Sequence, residues 1–261
     1  AFLILNPIGA AERPQLKTFT SFEELQEYVR QNTRSYPYYY GGIGITLLRA
    51  GGPEASLATQ DLDYSKTNVQ VEGVDEADSV KTDGEYIYIV SGNNVTIVKA
   101  YPPKAAEVLV KITLNGTVAG IFIAEERLVV FEQPNYYILY RTLEKPAYET
   151  LETLIKVYDV SNRRSPVLKR EVGLDGWYFN SRLIGEYVYA VITQPVNHPT
   201  ETGEKVVLPN IRTETGVKEI SASEIYYSEV PDYAYAFTTI VASNVFKDGE
   251  EPSHKTIMMG A

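Results

Sequence analysis

The chain has 261 residues, a net charge of −10 at neutral pH, 21 tyrosines and no cysteine. This length gives room for one large β domain or two smaller domains, and the many tyrosines favour strands. The negative charge argues against a nucleic-acid partner. The lack of cysteine excludes disulfides and cysteine-bound zinc. It is also compatible with a protein of a thermophilic organism.

Residues 1–15 begin with the apolar run "AFLIL". The run is too short to cross a bilayer, because a membrane-spanning helix needs about 20 apolar residues. One interpretation is a first strand that packs into a core. The other is the end of a secretory signal or anchor segment, which would place a membrane anchor upstream of residue 1.

Residues 16–66 are predicted to form a short helix followed by a linker. Ser21 suits the N-cap position, and Glu24 follows at the spacing of a capping box. Four apolar or aromatic residues then fall on one helical face: Phe22, Leu25, Tyr28 and Val29. The Tyr- and Gly-rich stretch "SYPYYYGGIG" is a linker rather than a phosphate-binding loop, because its glycines do not lie between a strand and a helix.

The acidic stretch "VEGVDEADSVKTDG", residues 71–84, allows three hypotheses. The favoured one is structural, since Asp83-Gly84 is a strong hairpin signal. The second is a site for a hard cation such as Ca²⁺, the sole cofactor considered, formed by Asp75, Glu76, Asp78 and Asp83 together with Glu72. The third is acid–base catalysis by paired carboxylates. An alternating strand from Asn68 to Val74 is expected to pair outside the first repeat.

Residues 67–261 contain a weak repeat. Three segments share an apolar approach, a tight turn and an alternating strand: "VKTDGEYIYIVSGN", "GIFIAEERLVVFEQP" and "SRLIGEYVYAVITQP". Each is followed by a second alternating strand and then by an outer strand. Four short antiparallel strands that recur every ~45–65 residues are typical of propeller blades. We therefore predict an all-β fold, a β-propeller of about three four-stranded blades, with a short N-terminal helix.

The stretches "TNVQVEGVDEADSVKTDGEYIYIV" and "IKVYDVSNRRSPVLKREVGLDGWYFNSRLIGEYVYAVI" resemble the archaeal and bacterial secreted β-propeller family, which is distantly related to WD repeats. The resemblance implies export and, often, membrane anchoring. It implies no shared catalytic activity, so the catalytic residues stay unknown. Family members are longer, and a propeller needs at least four blades to close. The remaining blades are thus expected from the same protein or from another subunit.

Few other residues point to chemistry. The histidines, His198 and His254, lie in separate segments and form a metal site only if the fold joins them. Trp177 begins a blade and is expected in the core. The sequons at Asn94 and Asn115 are predicted glycosylation sites, because both lie in or beside turns.

An insert from Gln194 to Tyr233 interrupts the third repeat. Loops this long are usually functional or disordered. The insert is therefore either a partner surface or a β-excursion packed on the outside of the blade.

The sequence as a whole favours an exported binding or scaffolding module, located outside the cell or on its surface. Its partner would be a protein or a glycan of the cell surface. One alternative is an extracellular hydrolase with carboxylates in the propeller channel, because propellers host both roles. Another is a structural subunit of an extracellular assembly, which would use open sheet edges.

Overall fold

The computed structural model describes residues 16–32, 73–134, 151–197, 205–229, 232 and 234–260. Residues 1–15, most of the predicted linker and His198 lie outside this part of the chain. In chain order, the helix and strands are β1 (Lys17–Thr18), α1 (Phe22–Asn32), β2 (Val74–Glu76), β3 (Val80–Thr82), β4 (Tyr86–Ser91), β5 (Asn94–Lys99), β6 (Glu107–Thr113), β7 (Thr117–Ala124), β8 (Arg127–Gln133), β9 (Glu152–Asp159), β10 (Val167–Asp175), β11 (Trp177–Ile184), β12 (Tyr187–Pro195), β13 (Asn210–Thr213), β14 (Gly216–Glu219), β15 (Ile225–Tyr227), β16 (Tyr235–Asn244) and β17 (Ser253–Gly260).

The described strands form three sheets, and each contains one antiparallel meander of four strands. The first sheet is β3-β4-β5-β6. The second has the order β14-β13-β10-β9-β8-β7, and the third has the order β1-β15-β17-β16-β12-β11-β2. The three meanders coincide with the three sequence repeats, so the predicted blades are confirmed. The prediction of four strands per blade missed the strands that extend the second and third sheets.

Two apolar clusters lie between neighbouring sheets. The smaller one joins the first and second sheets through side chains such as Tyr88, Ile97 and Leu128. The larger one joins the second and third sheets and includes Phe131 and Phe237. Neither described cluster lies between the first and third sheets. The described sheets therefore form an open arc, since each sheet is packed only on the neighbour next to it.

The acidic segment runs along the inner edges of all three sheets. Strand β2 pairs antiparallel with β11 of the third sheet, and Asp78 then makes a β-bridge to Ile121 of the second sheet. The chain next forms β3, the inner strand of the first sheet. Gly120 permits this close passage, because a Cβ there would lie 3.0 Å from the Cβ of Ala77. Of the predicted strand 68–74, residues 68–72 lie outside the described part; Val74 pairs outside the first blade.

Helix α1 begins as the sequence predicts. The Ser21 hydroxyl accepts a hydrogen bond from the Glu24 backbone N–H at 3.2 Å. The second hydrogen bond differs from that of a capping box, in which the glutamate would accept the backbone N–H of Ser21. Here the Glu24 carboxylate accepts the backbone N–H of Thr20 at 2.6 Å. Leu25 and Val29 are fully buried in the larger cluster.

The insert is a packed β-excursion in its described part. Its hairpin β13–β14 extends the second sheet at the outer edge, and β15 adds in parallel to β17 of the third sheet. Strand β1 then pairs with β15, and the ring of Phe19 stacks on that of Tyr227 with centroids 4.0 Å apart. The insert thus attaches the N-terminal helix to the outside of the arc.

Candidate functional site

The inner acidic segment is held by basic side chains. The Asp75 carboxylate lies 2.7 Å from the amino group of Lys81, whose side chain is buried. Glu76 pairs with Arg182 of β11 at 2.8 Å. These two pairs tie the segment to the first and third sheets, which suits the structural hypothesis.

The other two acidic residues mainly order turns. One carboxylate oxygen of Asp78 accepts the backbone N–H of Ser79 at 2.6 Å. Asp83 Oδ1 accepts the backbone N–H of Tyr86 at 2.8 Å in the β3–β4 turn, and its Oδ2 lies 3.1 Å from the guanidinium of Arg163. Asp83 therefore links the first sheet to the β9–β10 loop of the second.

The structure does not gather these carboxylates around one point. In the described ranges, no three carboxylate or histidine side chains are close enough to hold a metal ion together. Glu72 and His198 lie outside those ranges. Calcium binding and catalysis at Asp75, Glu76, Asp78 and Asp83 therefore stay predictions.

His254 is partly buried on β17, with its Nε2 3.7 Å from the carboxylate of Glu224. Burial lowers the pKa of His254, and the positive charge of Lys218 lowers it further. The histidine is therefore favoured in its neutral form, and its neighbours come from the insert.

A cleft of about 740 Å³ opens between the first and second sheets. It lies at the end of the sheets where the β3–β4 turn, the β7–β8 turn and the β9–β10 loop meet, and its volume falls within the range usual for ligand sites. Its lining is mostly charged and polar: Asp83, Glu85, Tyr86, Lys99, Leu109, Glu125, Glu126, Ser161, Asn162, Arg163 and Arg164.

The floor of the cleft is a network around Arg163. Its Nε lies 3.3 Å from the Tyr88 hydroxyl, and its guanidinium lies over the ring of Tyr86, 5.1 Å from the centroid. Burial raises the pKa of Tyr88, and the negative charge of Asp83 raises it further. The phenol is therefore neutral in the physiological range, and it donates a hydrogen bond to Asp83 Oδ2 at 3.0 Å.

The β7–β8 turn at the rim departs from the pattern of the other repeats. The residue that aligns with Glu125 is Gly84 in the first repeat, with φ 96°, and Gly185 in the third, with φ 58°. The second repeat has Glu125 there, with φ 53°. A left-handed conformation costs a residue with a Cβ about 1–2 kcal/mol, so the chain retains a strained glutamate where glycine would fit.

Sequence reasoning missed this cleft. Its residues come from turns of two different blades, and Arg163 and Asp83 are 80 positions apart. One signal was available in the sequence. The turns of the first and third repeats have Gly-Glu, whereas the turn of the second repeat has Glu-Glu.

The two sequons differ in accessibility. Asn115 and Thr117 are exposed. The side chain of Asn94 is half-buried, and it accepts a hydrogen bond from the Thr113 hydroxyl at 2.8 Å and donates one to Asn93 at 2.9 Å. Asn115 is therefore the more accessible acceptor for a glycan, and glycosylation of Asn94 and of Asn115 stays a prediction.

The outer surfaces of the first and third sheets carry apolar side chains among polar ones; on the third sheet, register also places Arg182 with its partner Glu76, and Lys255, on this face. On the first sheet, strand register places Val80, Ile87, Ile89, Val98 and Val108 on the face away from the second sheet. On the third sheet, the corresponding face has Ile184, Tyr189, Val191, Ile240, Ile257 and Met259. We call these the first and third open faces. Trp177 lies on the third by register with Thr193 and is half-buried, so its prediction as a core residue is wrong.

Several of these side chains are strongly exposed: Val108 at 64%, Met259 at 50% and Ile240 at 40%. No described element packs on either face. As for membranes, the described residues include no helix of the length and hydropathy required to span one.

Comparison with known proteins is consistent with this architecture. A family model described as "Beta propeller domain" matches residues 64–261. An uncharacterized protein of Methanocaldococcus jannaschii is 29% identical over 179 residues, which cover 66% of this chain and 25% of that protein. An uncharacterized protein of Archaeoglobus fulgidus is 26% identical over 276 residues, which cover 95% of this chain and 40% of that protein.

The chain thus spans between a quarter and two-fifths of the length of these two relatives. No solved structure matches it. The matched region contains all three four-stranded meanders, and the chain therefore belongs to the beta propeller domain family.

Proposed function

We propose that this chain is an exported binding and scaffolding module whose two open faces take further sheets of a propeller ring. The observation that carries the proposal is the group of exposed apolar side chains on each end face of the arc. Exposed apolar patches of this kind on sheets indicate an interaction surface, and aligned sheets bury such faces against each other. The further sheets would come from the same protein or from another subunit.

The packing of the three sheets supports this role. The second sheet is covered on both faces, by the first sheet on one side and by the third sheet on the other. By contrast, Tyr189 and Ile240 lie on adjacent strands with no cover from the described chain. Within the described part of the chain, one sheet is covered and two end faces are not, and such a module suits a scaffold.

An experiment on Ile240 tests this proposal. The chain should self-associate as its concentration rises, because each copy presents two apolar faces. Ile240→Glu should shift sedimentation towards the monomer with little change in melting temperature, since the side chain is already 40% exposed.

The matched control is Val217→Glu, which places the same charge on an exposed valine of β14, away from both faces. It should leave association unchanged. A wild-type chain that stays monomeric at all concentrations, or equal effects of the two variants, would contradict the proposal.

Export and glycosylation form the second part of the proposal. The family resemblance and the exposed sequon at Asn115 support it. Peptide mass spectrometry of protein from its native cells should find a glycan on Asn115 and none on Asn94. Finding Asn115 unmodified in that material would count against export through a glycosylating pathway.

Neither alternative function has an observation of equal weight. The hydrolase hypothesis needs free carboxylates in the channel. In the acidic segment, the carboxylates of Asp75, Glu76 and Asp78 are held by basic side chains or a backbone N–H group. The structural-subunit hypothesis needs a free sheet edge. Strand β6 offers one, because no described strand pairs on its outer side, but the open faces are the larger apolar surface.

A further inference from the structure

The described part of the insert is attached to the third sheet by a short strand. Strand β15 has only 3 residues and pairs in parallel with β17. Helix α1 is held through this strand, because Phe19 stacks on Tyr227 and the Tyr28 hydroxyl donates a hydrogen bond to the Ser228 carbonyl at 2.8 Å. Whatever weakens the attachment of β15 to β17 therefore also loosens the N-terminal helix.

His254 lies on β17 beneath this attachment, and its side chain is 10% exposed. Strand register places it beside Val241 of β16, and the residues that flank Val241 on the same face are the uncharged Thr239 and Ser243. Strand β15 contributes the buried Ile225 to this face. The imidazole is thus surrounded by uncharged strand residues and by the charged side chains of the insert.

The carboxylate nearest to His254 is already engaged. Oε1 of Glu224 lies 3.1 Å from the Lys218 amino group and 3.7 Å from Nε2 of His254. Oε2 of Glu224 accepts the backbone N–H of Ser221 at 3.3 Å. A separation of 3.7 Å is too long for a hydrogen bond. A proton added at Nε2 would therefore share an occupied carboxylate with Lys218 instead of gaining a hydrogen bond from it.

The charged groups that act on His254 in the described ranges are Lys218 and Glu224 of the insert and Lys255 next to it on β17. Glu251, which precedes β17, accepts a hydrogen bond from the Thr215 hydroxyl at 2.9 Å. Burial is the largest cause that lowers the pKa of His254, and with the two lysines it outweighs the opposite effect of Glu224. A positive charge on this imidazole is thus disfavoured while the insert is docked.

We propose that His254 makes the attachment of the insert and of helix α1 sensitive to pH. The neutral imidazole leaves the pair of Lys218 and Glu224 intact beside it. Protonation adds a positive charge next to Lys218 in a mostly buried place, and release of the insert would let that charge reach water. This device goes beyond the proposed scaffold role and involves neither open face.

Acid weakens the docked state. A histidine whose pKa is lower in the docked state binds a proton less readily there than after release. The attachment is therefore complete above the ordinary histidine pKa of 6.5 and is weakened as the pH falls below it. One linked proton changes the docking equilibrium by at most about tenfold per pH unit.

Hydrogen exchange followed by mass spectrometry at pH 7.5 and pH 5.5, corrected for the intrinsic effect of pH on exchange, tests this device. We expect the protection of residues 222–229 and of helix α1 to fall about three- to tenfold at pH 5.5. The protection of the central strands β8 and β12 should stay within about twofold, because they do not depend on the insert for their pairing.

His254→Gln replaces the imidazole by a neutral amide and should abolish the fall in protection. The chain has one other histidine, and the matched control His198→Gln should leave the fall as in wild type. Lys218→Met is a second variant that keeps the histidine. It removes the competing lysine and frees the Glu224 carboxylate for the imidazolium, so it should reduce the fall at least about twofold.

An equal fall in wild type and in His254→Gln would overturn the proposal, as would unchanged protection of the insert in wild type at the two pH values. A fall that His198→Gln removes would overturn it as well. The readout is local protection rather than self-association, so this result is independent of the test of the scaffold role.

Discussion

Lys156→Met should lower the free energy of unfolding by about 3–5 kcal/mol at pH 7, because it leaves a buried carboxylate without its cation. The Lys156 amino group lies 2.6 Å from Glu132 and 3.3 Å from Glu171. Lys156 and Glu132 are 9% and 3% exposed, and strand register places Lys156 beside Val130, on the face that packs against the first sheet. Urea denaturation followed by circular dichroism measures the loss.

The double variant Glu132→Gln/Lys156→Met is the control. It removes both charges, and replacing a buried pair by neutral residues is often close to neutral, so most of the lost stability should return. The side-chain amide oxygen introduced by Glu132→Gln can still accept the backbone N–H of Gly116, as the Glu132 carboxylate does. A loss below about 1 kcal/mol in the single variant would show that the pair is not desolvated.

The stabilisation by the Lys156–Glu132 pair also depends on pH. Burial lowers the pKa of Lys156, but the hydrogen bond and charge of Glu132 outweigh burial, so the pKa is raised above its ordinary value of 10.5. A raised lysine pKa means that the stabilisation is complete at neutral pH. On the alkaline side, it is lost as the pH rises through the folded-state pKa of Lys156.

Arg170→Met should lower stability by about 3 kcal/mol, because several buried carbonyl groups lose a charged donor at once. Arg170 is 4% exposed on β10. Its guanidinium donates to three main-chain carbonyl groups at the end of β16 and in the following loop: those of Asn244, Lys247 and Glu250. Burial lowers the pKa of Arg170, and the negative charges of Glu251 and Glu250 only partly oppose this.

For a chain of this size, the expected loss corresponds to a fall in melting temperature of roughly 6–12 °C, measured by calorimetry. Lys169→Met is the matched control. It removes the same charge from the exposed neighbour and should change stability by less than about 0.5 kcal/mol. Similar effects of the two substitutions would contradict the assignment of Arg170 as the link between the second and third sheets.

The fold could be predicted from the sequence because its signals are local. Alternating strands joined by a tight turn repeat three times, with glycine in two of the turns (Gly84 and Gly185), and each repeat forms one meander. The additional strands could not be predicted, because β15 pairs in parallel with β17 some 30 positions later and β2 pairs with a strand about 100 positions away. Such pairing depends on tertiary packing, which alternation alone does not specify.

The candidate site was harder to predict for the same reason. The acidic segment attracted attention because its carboxylates are close in sequence, but the fold spreads them along three sheets. The cleft is assembled from turns of two blades, and the local anomaly at Glu125 becomes meaningful only beside Arg163 and Tyr86. Trp177 was misplaced because a strand position does not indicate which face of the arc is covered.

In the assembled protein, we expect the third open face to be covered. The two methionines of the chain are adjacent on β17 and report on opposite faces of the third sheet. Met258 is 1% exposed in the core, and Met259 is 50% exposed on the open face. In protein purified from its native cells, peroxide should oxidise Met259 as slowly as Met258. Rapid oxidation of Met259 in that material, with Met258 protected, would contradict the claim.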